Sequence, residues 1–269
     1  MKARIDLDAT TVAVDLERPI SLAREVSFGA GDARFFGAAP AVARPLVLPE
    51  FPGRVDQGGS CNCSTLTLTP HCHGTHTECV GHLTREPLDA WRLAPPGWLW
   101  CELVSVLPQL VASPGTTPES SDPPPRPGDH LVTRRALLDA WPERTLAPAR
   151  ALVLRTREST GGSNPPYFSR EAAQLLVERG IEHLVVDLPS LDRTHDAGRL
   201  TAHRLFFGLP PRTSELARAT RARCTVTELA HIPETVRDGS YLLELQVPAI
   251  AGDAVPSRPL LFALAGSIS

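Results

Sequence analysis

The sequence predicts an α/β protein built on a mixed β-sheet, and three observations carry that expectation. Eight short runs are rich in β-branched and apolar residues, against two segments of clear helical character. Residues 151–188 read strand, loop, helix, strand, the order of a parallel crossover unit. The chain has 269 residues, 42% hydrophobic and 21% charged, enough for a sizeable core in an ordinary globular protein. A single domain over 1–269 is expected.

The elements follow in order. "TVAVDL" (11–16) and the cleanly alternating "STLTLT" (64–69) open the strand set. "LWCELVSV" (99–106), "ALVLRT" (151–156) and "HLVVDL" (183–188) are the apolar centre. "CTVTELA" (224–230), "YLLELQV" (241–247) and "PLLFALA" (259–265) close it. "SREAAQLLVERG" (169–180) is the clearest helix: Ser169 suits the N-cap, Glu171 the positive end of the dipole and Gly180 the C-terminal turn. "RRALLDAW" (134–141) is the second. Between them, residues 107–129 are Pro-rich without a period, which predicts a surface loop.

Composition excludes several functions. Net charge is −3, so no basic field points to nucleic acid or an anionic membrane. No run approaches the roughly 18 apolar residues of a spanning helix, and the charged N-terminus lacks an apolar signal core. A cytoplasmic location is expected, with the six cysteines as thiols or metal ligands rather than disulfides. No G-x-S-x-G elbow and no Gly-rich nucleotide loop occur.

One stretch stands apart. "PHCHGTHTECVGH" (70–82) holds four of the nine histidines, two cysteines and a glutamate. Imidazole, thiolate and carboxylate are the ligand types of first-row divalent metals. Following "STLTLT", the cluster is expected at a strand end and in the turn beyond it, with Pro70 ending the ladder and Gly74 allowing a tight backbone. His76 and Glu78, two apart on extended chain, point to one side and can share an ion. Cys72 can close from across the turn, with His71 and His73 as competitors. The spacing does not match a structural zinc finger. Cys79 beside His82 could be a thiol nucleophile, but among so many ligand types a core role fits it better. Glu228 is a carboxylate inside an otherwise apolar strand, which needs a positive partner if buried.

The cluster resembles the motif H-x-G-T-H-x-D-x-P-x-H of the cyclase family, which includes bacterial kynurenine formamidases and isatin hydrolases. Residues 72–82 align with it; the G-T-H core and the last His match, while Cys72, Glu78 and Val80 replace His, Asp and Pro. The resemblance extends to "VDLERPI" (14–20), "DLPSLD" (187–192), "AHRLFFG" (202–208) and "GDAVPSRPLLFAL" (252–264). It implies the family's swivelling β/β/α-like fold, a site of one or two divalent ions held by Cys72, His76, Glu78, His203 and Glu228, and His82 as general acid/base. A thiolate ligand favours Zn, with Mn as the alternative. The implied reaction is hydrolysis of an amide-type C–N bond, with N-formylkynurenine or another aryl formamide as default substrate, by a homo-oligomer. The rival expectation, motivated by the three departures, is a cyclase-fold protein that only binds a ligand or partner. Phe35, Phe36 and Phe51 are candidates for an aromatic pocket or for core.

Overall fold

The computed structural model describes residues 2–7, 10–29, 35–113, 115, 117–141, 148–157 and 164–265. In chain order the strands are β1 (Lys2–Leu7), β2 (Thr10–Asp15), β3 (Ile20–Ser21), β4 (Val42–Pro45), β5 (Ser64–Thr67), β6 (His76–Cys79), β7 (Trp98–Val106) and β8 (Gln109–Leu110). Then follow β9 (His130–Val132), β10 (Ala151–Thr156), β11 (Tyr167–Phe168), β12 (His183–Val186), β13 (Thr225–Glu228), β14 (Gly239–Gln246), β15 (Ala254–Pro256) and β16 (Arg258–Ala265). The helices are α1 (Ala90–Leu93), α2 (Arg134–Ala140), α3 (Arg170–Glu178) and α4 (Thr201–Phe207).

Eleven of these strands form one mixed sheet, in the order β1-β2-β16-β14-β7-β10-β12-β13-β6-β15, with β3 added on β16. The four strands β7, β10, β12 and β13 are parallel, and the other pairings in this sheet are antiparallel. Parallel strands are covered on both faces and so read as continuous apolar runs rather than alternating ones. All six residues of "ALVLRT" are buried accordingly. One face packs Val104, Leu152, Leu154 and Val186 against Leu137, Leu176 and Phe206 of the helices. The other packs Cys101, Leu103, Val153 and Val185 against Leu22, Ile232 and Val236.

Each of the eight expected runs is a strand to within two residues at either end, and both expected helices are present. Ser169 accepts a hydrogen bond from Ala172 N, and Gly180 turns the chain at φ +73°. The parallel pairing of β10 with β12 around α3 is the expected crossover.

Three features differ from the sequence expectation. First, β5 lies in a separate two-stranded sheet with β4 and is exposed along its length, so it does not lead the histidines into the core. That entry belongs to β6, whose "HTEC" lacks an alternating apolar signature because its polar side chains are buried. Second, the Pro-rich segment, which lies mostly at the surface, is anchored at points the sequence does not show. It starts with β8 in a three-stranded sheet with β9 and β11, and Glu119 accepts the N–H groups of Arg134 and Arg135 at the start of α2 and the Ser169 hydroxyl at the start of α3. Third, α4 had no sequence signal of its own. Its N-cap is Leu200 in the left-handed region, an unusual cap.

A candidate metal centre on the strand ends

The site grows out of strand register. On β6 and β13, His76 is the Cα partner of Glu228 and Glu78 that of Val226; on β15, Ala254 pairs with Glu78. His76 and Glu78 leave the same side of β6, and Glu228 leaves the end of β13 beside them. This is the carboxyl end of the parallel strands, where open α/β sheets keep their ligands. His203 arrives from the first turn of α4. His76, Glu78, His203 and Glu228 are all at most 3% exposed.

Gly74 makes the approach to β6 feasible. Its φ is +73°, and a Cβ there would lie 2.4 Å from Val26 Cγ2. Thr75 fixes the next residue: its hydroxyl donates to Leu229 O at 2.7 Å and accepts from Arg24 N at 2.8 Å. The tight turn expected at Gly74 thus has a physical basis, and Thr75 helps to hold it.

Interatomic distances bring the ligands together. His203 Nε2 is 3.0 Å from Glu78 Oε1 and 3.2 Å from Glu228 Oε1; His76 Nε2 is 3.5 Å from Glu228 Oε2; His71 Nδ1 is 3.1 Å from Glu78 Oε2. Among the described residues three compact groups result, each with its candidate ligand atoms within 4.8 Å of one another: His71/His76/Glu78 and Glu78/His203/Glu228, which share Glu78, and His71/His82/Asp253 toward the solvent. Glu78 belongs to the first two, with one oxygen toward His71 and the other toward His203.

The hydrogen bonds around these rings set which nitrogen is available. His76 Nδ1 faces Gly74 O at 3.2 Å, so the N–H sits there and Nε2 carries the lone pair. His203 Nδ1 faces Asp192 Oδ2 at 2.7 Å, again leaving Nε2. Asp192 also accepts the N–H groups of Ala202 and His203, so one carboxylate caps α4 and orients the imidazole it carries. His76 Nε2, His203 Nε2 and Glu78 Oε1 are buried without a hydrogen-bond donor or acceptor to match them. Buried polar atoms are rarely left so, and two imidazole lone pairs with carboxylate oxygens are the donor set of a divalent cation. The residues present therefore fit a metal.

Electrostatics agree in direction. Burial opposes ionisation of Glu78, but the charge and hydrogen bond of His203 and the hydrogen bond of His71 outweigh it and hold its pKa well below the usual range. Burial opposes the charge on His203, and Glu78 and Asp192 raise its pKa regardless, so without an ion a proton on Nε2 takes the cation's place between the two glutamates. Burial likewise opposes the charge on His71, yet hydrogen bonds to Asp253 and Glu78 raise its pKa to about 10. A neutral imidazole has one N–H, and both nitrogens of His71 face carboxylates. A cation, either a second proton or a metal ion, must reconcile one of the two contacts.

The structure brings together four of the five ligands expected from the resemblance, His76, Glu78, His203 and Glu228. Cys72 joins none of the groups among the described residues, and His71 stands there instead. The reason is local. Residues Pro70–Cys72 form a 3-10 turn, in which successive side chains diverge by about 120°. With His71 directed into the site, Cys72 is directed elsewhere. His73 is also turned out: its Nδ1 meets Thr69 O and its Nε2 meets Ala39 O. Cys79 is buried, donates to Leu88 O and has its pKa pushed by burial to about 12, so it is a core thiol rather than a nucleophile.

His82 sits at the mouth. Its side chain is 30% exposed, its ring lies 4.2 Å from that of His71, and its Nδ1 is 3.3 Å from Asp253 Oδ2. Of the aromatic candidates, Phe35 is joined to the site's loop through its N–H on Cys72 O, while Phe36 is 49% exposed and Phe51 bridges back to Leu48. A cavity of about 640 Å³ lies elsewhere, lined by Arg170, Arg199, Arg204 and Arg212, and includes none of the candidate ligands.

The sequence model of the Cyclase family, described as "Putative cyclase", matches residues 14–193. The chain belongs to the Cyclase family. Among curated proteins no sequence matched significantly. Solved structures share the fold. One titled a potential metal-dependent hydrolase with cyclase activity superposes with TM-score 0.60 at 14% identity, over 91% of this chain and 97% of its own. A predicted metal-dependent hydrolase from Bacillus stearothermophilus gives 0.58 at 14%, over 91% and 98%. Isatin hydrolase A from Labrenzia aggregata, bound to benzyl benzoate, gives 0.58 at 14%, over 91% and 93%. This cyclase-family chain thus has the fold of metal-dependent hydrolases and carries residue groups able to hold a metal. No helix among the described residues is long and apolar enough to cross a membrane.

Proposed function

We propose that this protein is a metal-dependent hydrolase that cleaves an amide-type C–N bond of an aryl formamide or a related aryl amide, N-formylkynurenine being the default. The observation that carries the reading is the set of buried, mutually facing and unmatched atoms His76 Nε2, His203 Nε2 and Glu78 Oε1. His71, His76 and Glu78 would hold one divalent ion, and Glu78, His203 and Glu228 a second. With nitrogen and carboxylate donors and no thiolate, both Zn and Mn suit the centre. A bound ion supplies Lewis acidity, which polarises a carbonyl and makes water more acidic.

The chain's own residues supply the rest. His82, at the solvent side of the ligands, takes a proton from water as its oxygen bonds to the carbonyl carbon. It returns that proton to the nitrogen as the C–N bond breaks. Water is consumed, and a carboxylic acid and an amine result. Buried Glu78 and Glu228 remain ionised, their pKa values lowered by the neighbouring histidines despite burial.

The test is turnover of a panel of aryl formamides, lactams and lactones by protein loaded with Zn or Mn. A C–N substrate should be hydrolysed, and His82→Ala should keep the metal while losing about 10²–10⁴-fold in rate. A metal-loaded chain inert on the whole panel would favour a binding role. If His82→Ala loses its ion, His82 is a ligand rather than the base.

A further inference from the structure

Asp253 belongs to neither of the two groups that share Glu78, yet it touches both the ligand His71 and His82. Its Oδ2 is 3.0 Å from His71 Nε2 and 3.3 Å from His82 Nδ1. The two rings lie over one another, centroids 4.2 Å apart and 36° from parallel. A single carboxylate oxygen therefore faces one nitrogen of each.

The backbone holds that oxygen in place. Asp253 directly precedes β15, and its carbonyl accepts Cys79 N at 3.0 Å, at the end of the strand that carries His76 and Glu78. Gly252 before it donates to Asp89 Oδ1 at 3.1 Å. Gly81 leaves room: a Cβ there would lie 2.7 Å from Leu88 O and 3.3 Å from Asp253 Cβ. The backbone at Asp253 is thus set by the sheet, and its 43% exposed carboxylate meets the two imidazoles.

A carboxylate can only accept here, so the imidazoles donate. We propose that Asp253 is the positioning residue of the centre. It fixes His71 as the Nε2–H tautomer with its Nδ1 lone pair toward the ion shared with Glu78, and fixes His82 as the Nδ1–H tautomer with Nε2 as the basic nitrogen. The arrangement is a carboxylate–histidine–metal relay joined to a carboxylate–histidine base through one shared oxygen. It also gives a reason for His71 as the ligand in place of Cys72. At this turn His71 finds an acceptor for its second nitrogen, whereas a thiolate needs none. The inference rests on the metal-hydrolase reading above, deepening the roles it gives to His71 and His82.

The alternative is direct ligation, since His71, His82 and Asp253 could themselves surround an ion. His71 argues against it. Its Nδ1 is committed to Glu78, and a neutral imidazole cannot coordinate through both nitrogens at once.

The experiment compares wild type, Asp253→Asn and Asp253→Glu as full chains, after confirming equal folding by circular dichroism. Metal count and metal affinity, by chelator competition with Zn, need no substrate. Asp253→Asn should keep the wild-type ion count and lose about 10–100-fold in affinity, with Asp253→Glu recovering part of the loss. On any substrate turned over, kcat should fall with KM little changed, by less than the ~10²–10⁴-fold expected on loss of His82 itself. Wild-type affinity and kcat in Asp253→Asn would overturn the proposal. So would the loss of one whole ion, which would make Asp253 a ligand. A wild-type chain that binds no metal would instead sink the metal-hydrolase reading itself, so the two failures are distinguishable.

Discussion

A thiol and an imidazole one residue apart compete for one ligand position, and local backbone decides between them. The resemblance implies Cys72, but the 3-10 turn at Pro70–Cys72 directs His71 onto Glu78 and Asp253. Cys72 remains half-buried, with its pKa raised by burial, which disfavours the thiolate that metal binding needs. Cys72→Ala should therefore keep full metal occupancy, and His71→Ala should lose the ion held with His76. Elemental analysis of the two variants decides it; the opposite pattern would restore the thiolate ligand. His203 was legible as a ligand only through the resemblance, and Glu228 by itself stood out only as a carboxylate in an apolar strand. By residue type alone, a helix-surface histidine and a solvent-facing strand glutamate would have been fair descriptions. Asp192 lay inside the quoted "DLPSLD" without being singled out. The residue eleven positions on that it orients, His203, was the missing signal, and only the turn between them brings the two together.

At the scale of elements, β6 converts four consecutive polar or thiol side chains into buried ones. Hydrophobic periodicity cannot identify such a strand, because its two faces are both polar: His76 and Glu78 face the site, while Thr77 hydrogen-bonds Thr227 and Ser257. The strand is held by its two neighbours and by the turn that feeds it. Gly74→Ala tests that turn. The left-handed φ alone costs about 1–2 kcal/mol for a residue with a Cβ, and the contact with Val26 adds to it. The expected outcome is a lower denaturation midpoint together with weaker metal binding, because His76 follows two residues later. Destabilisation with unchanged metal affinity would mean that β6 keeps its register without help from the turn. Helix α3 by contrast was readable, since Ser169 and Gly180 act through local capping that sequence displays directly.

Across the whole molecule, stability should respond both to the ligands and to a histidine on β12, two strands from the ligand-bearing β6. His183 begins β12, is 4% exposed and meets Thr225 Oγ1 at 2.9 Å; burial lowers its pKa from 6.5 to about 4. The folded pKa is below the unfolded one, so between about pH 6.5 and pH 4 the unfolded chain binds more protons. The neutral histidine's contribution is full above pH 6.5 and is lost as pH falls, amounting to about 3 kcal/mol over that window at 1.36 kcal/mol per unit. Urea midpoints of His183→Gln against wild type should diverge at pH 7 and converge near pH 4. Parallel profiles would show that His183 is not the titrating group. Metal removal acts separately. Ligands that bind only the folded state at 100 times their Kd stabilise by about 2.7 kcal/mol. Stripping the ion with a chelator at pH 7.5 should then lower the Tm by roughly 5–10 °C for a chain of this size. No shift after chelation would argue against a resident ion.

The sequence alone determined the α/β class, the parallel centre, the two capped helices and the thirteen-residue window in which the chemistry sits. Each of these rests on local information: apolar runs, capping residues and composition are properties of neighbouring positions. Only the tertiary structure decided which histidine of that window meets Glu78, that β6 rather than β5 enters the sheet, and that Asp192 and Asp253 lie against imidazoles of the site. Those outcomes depend on register between strands far apart in sequence: Glu228 opposite His76, and Ala254 opposite Glu78. Register is set by the summed packing and hydrogen bonding of the whole sheet. A buried polar side chain therefore leaves little trace in its own sequence neighbourhood of the partner it will meet.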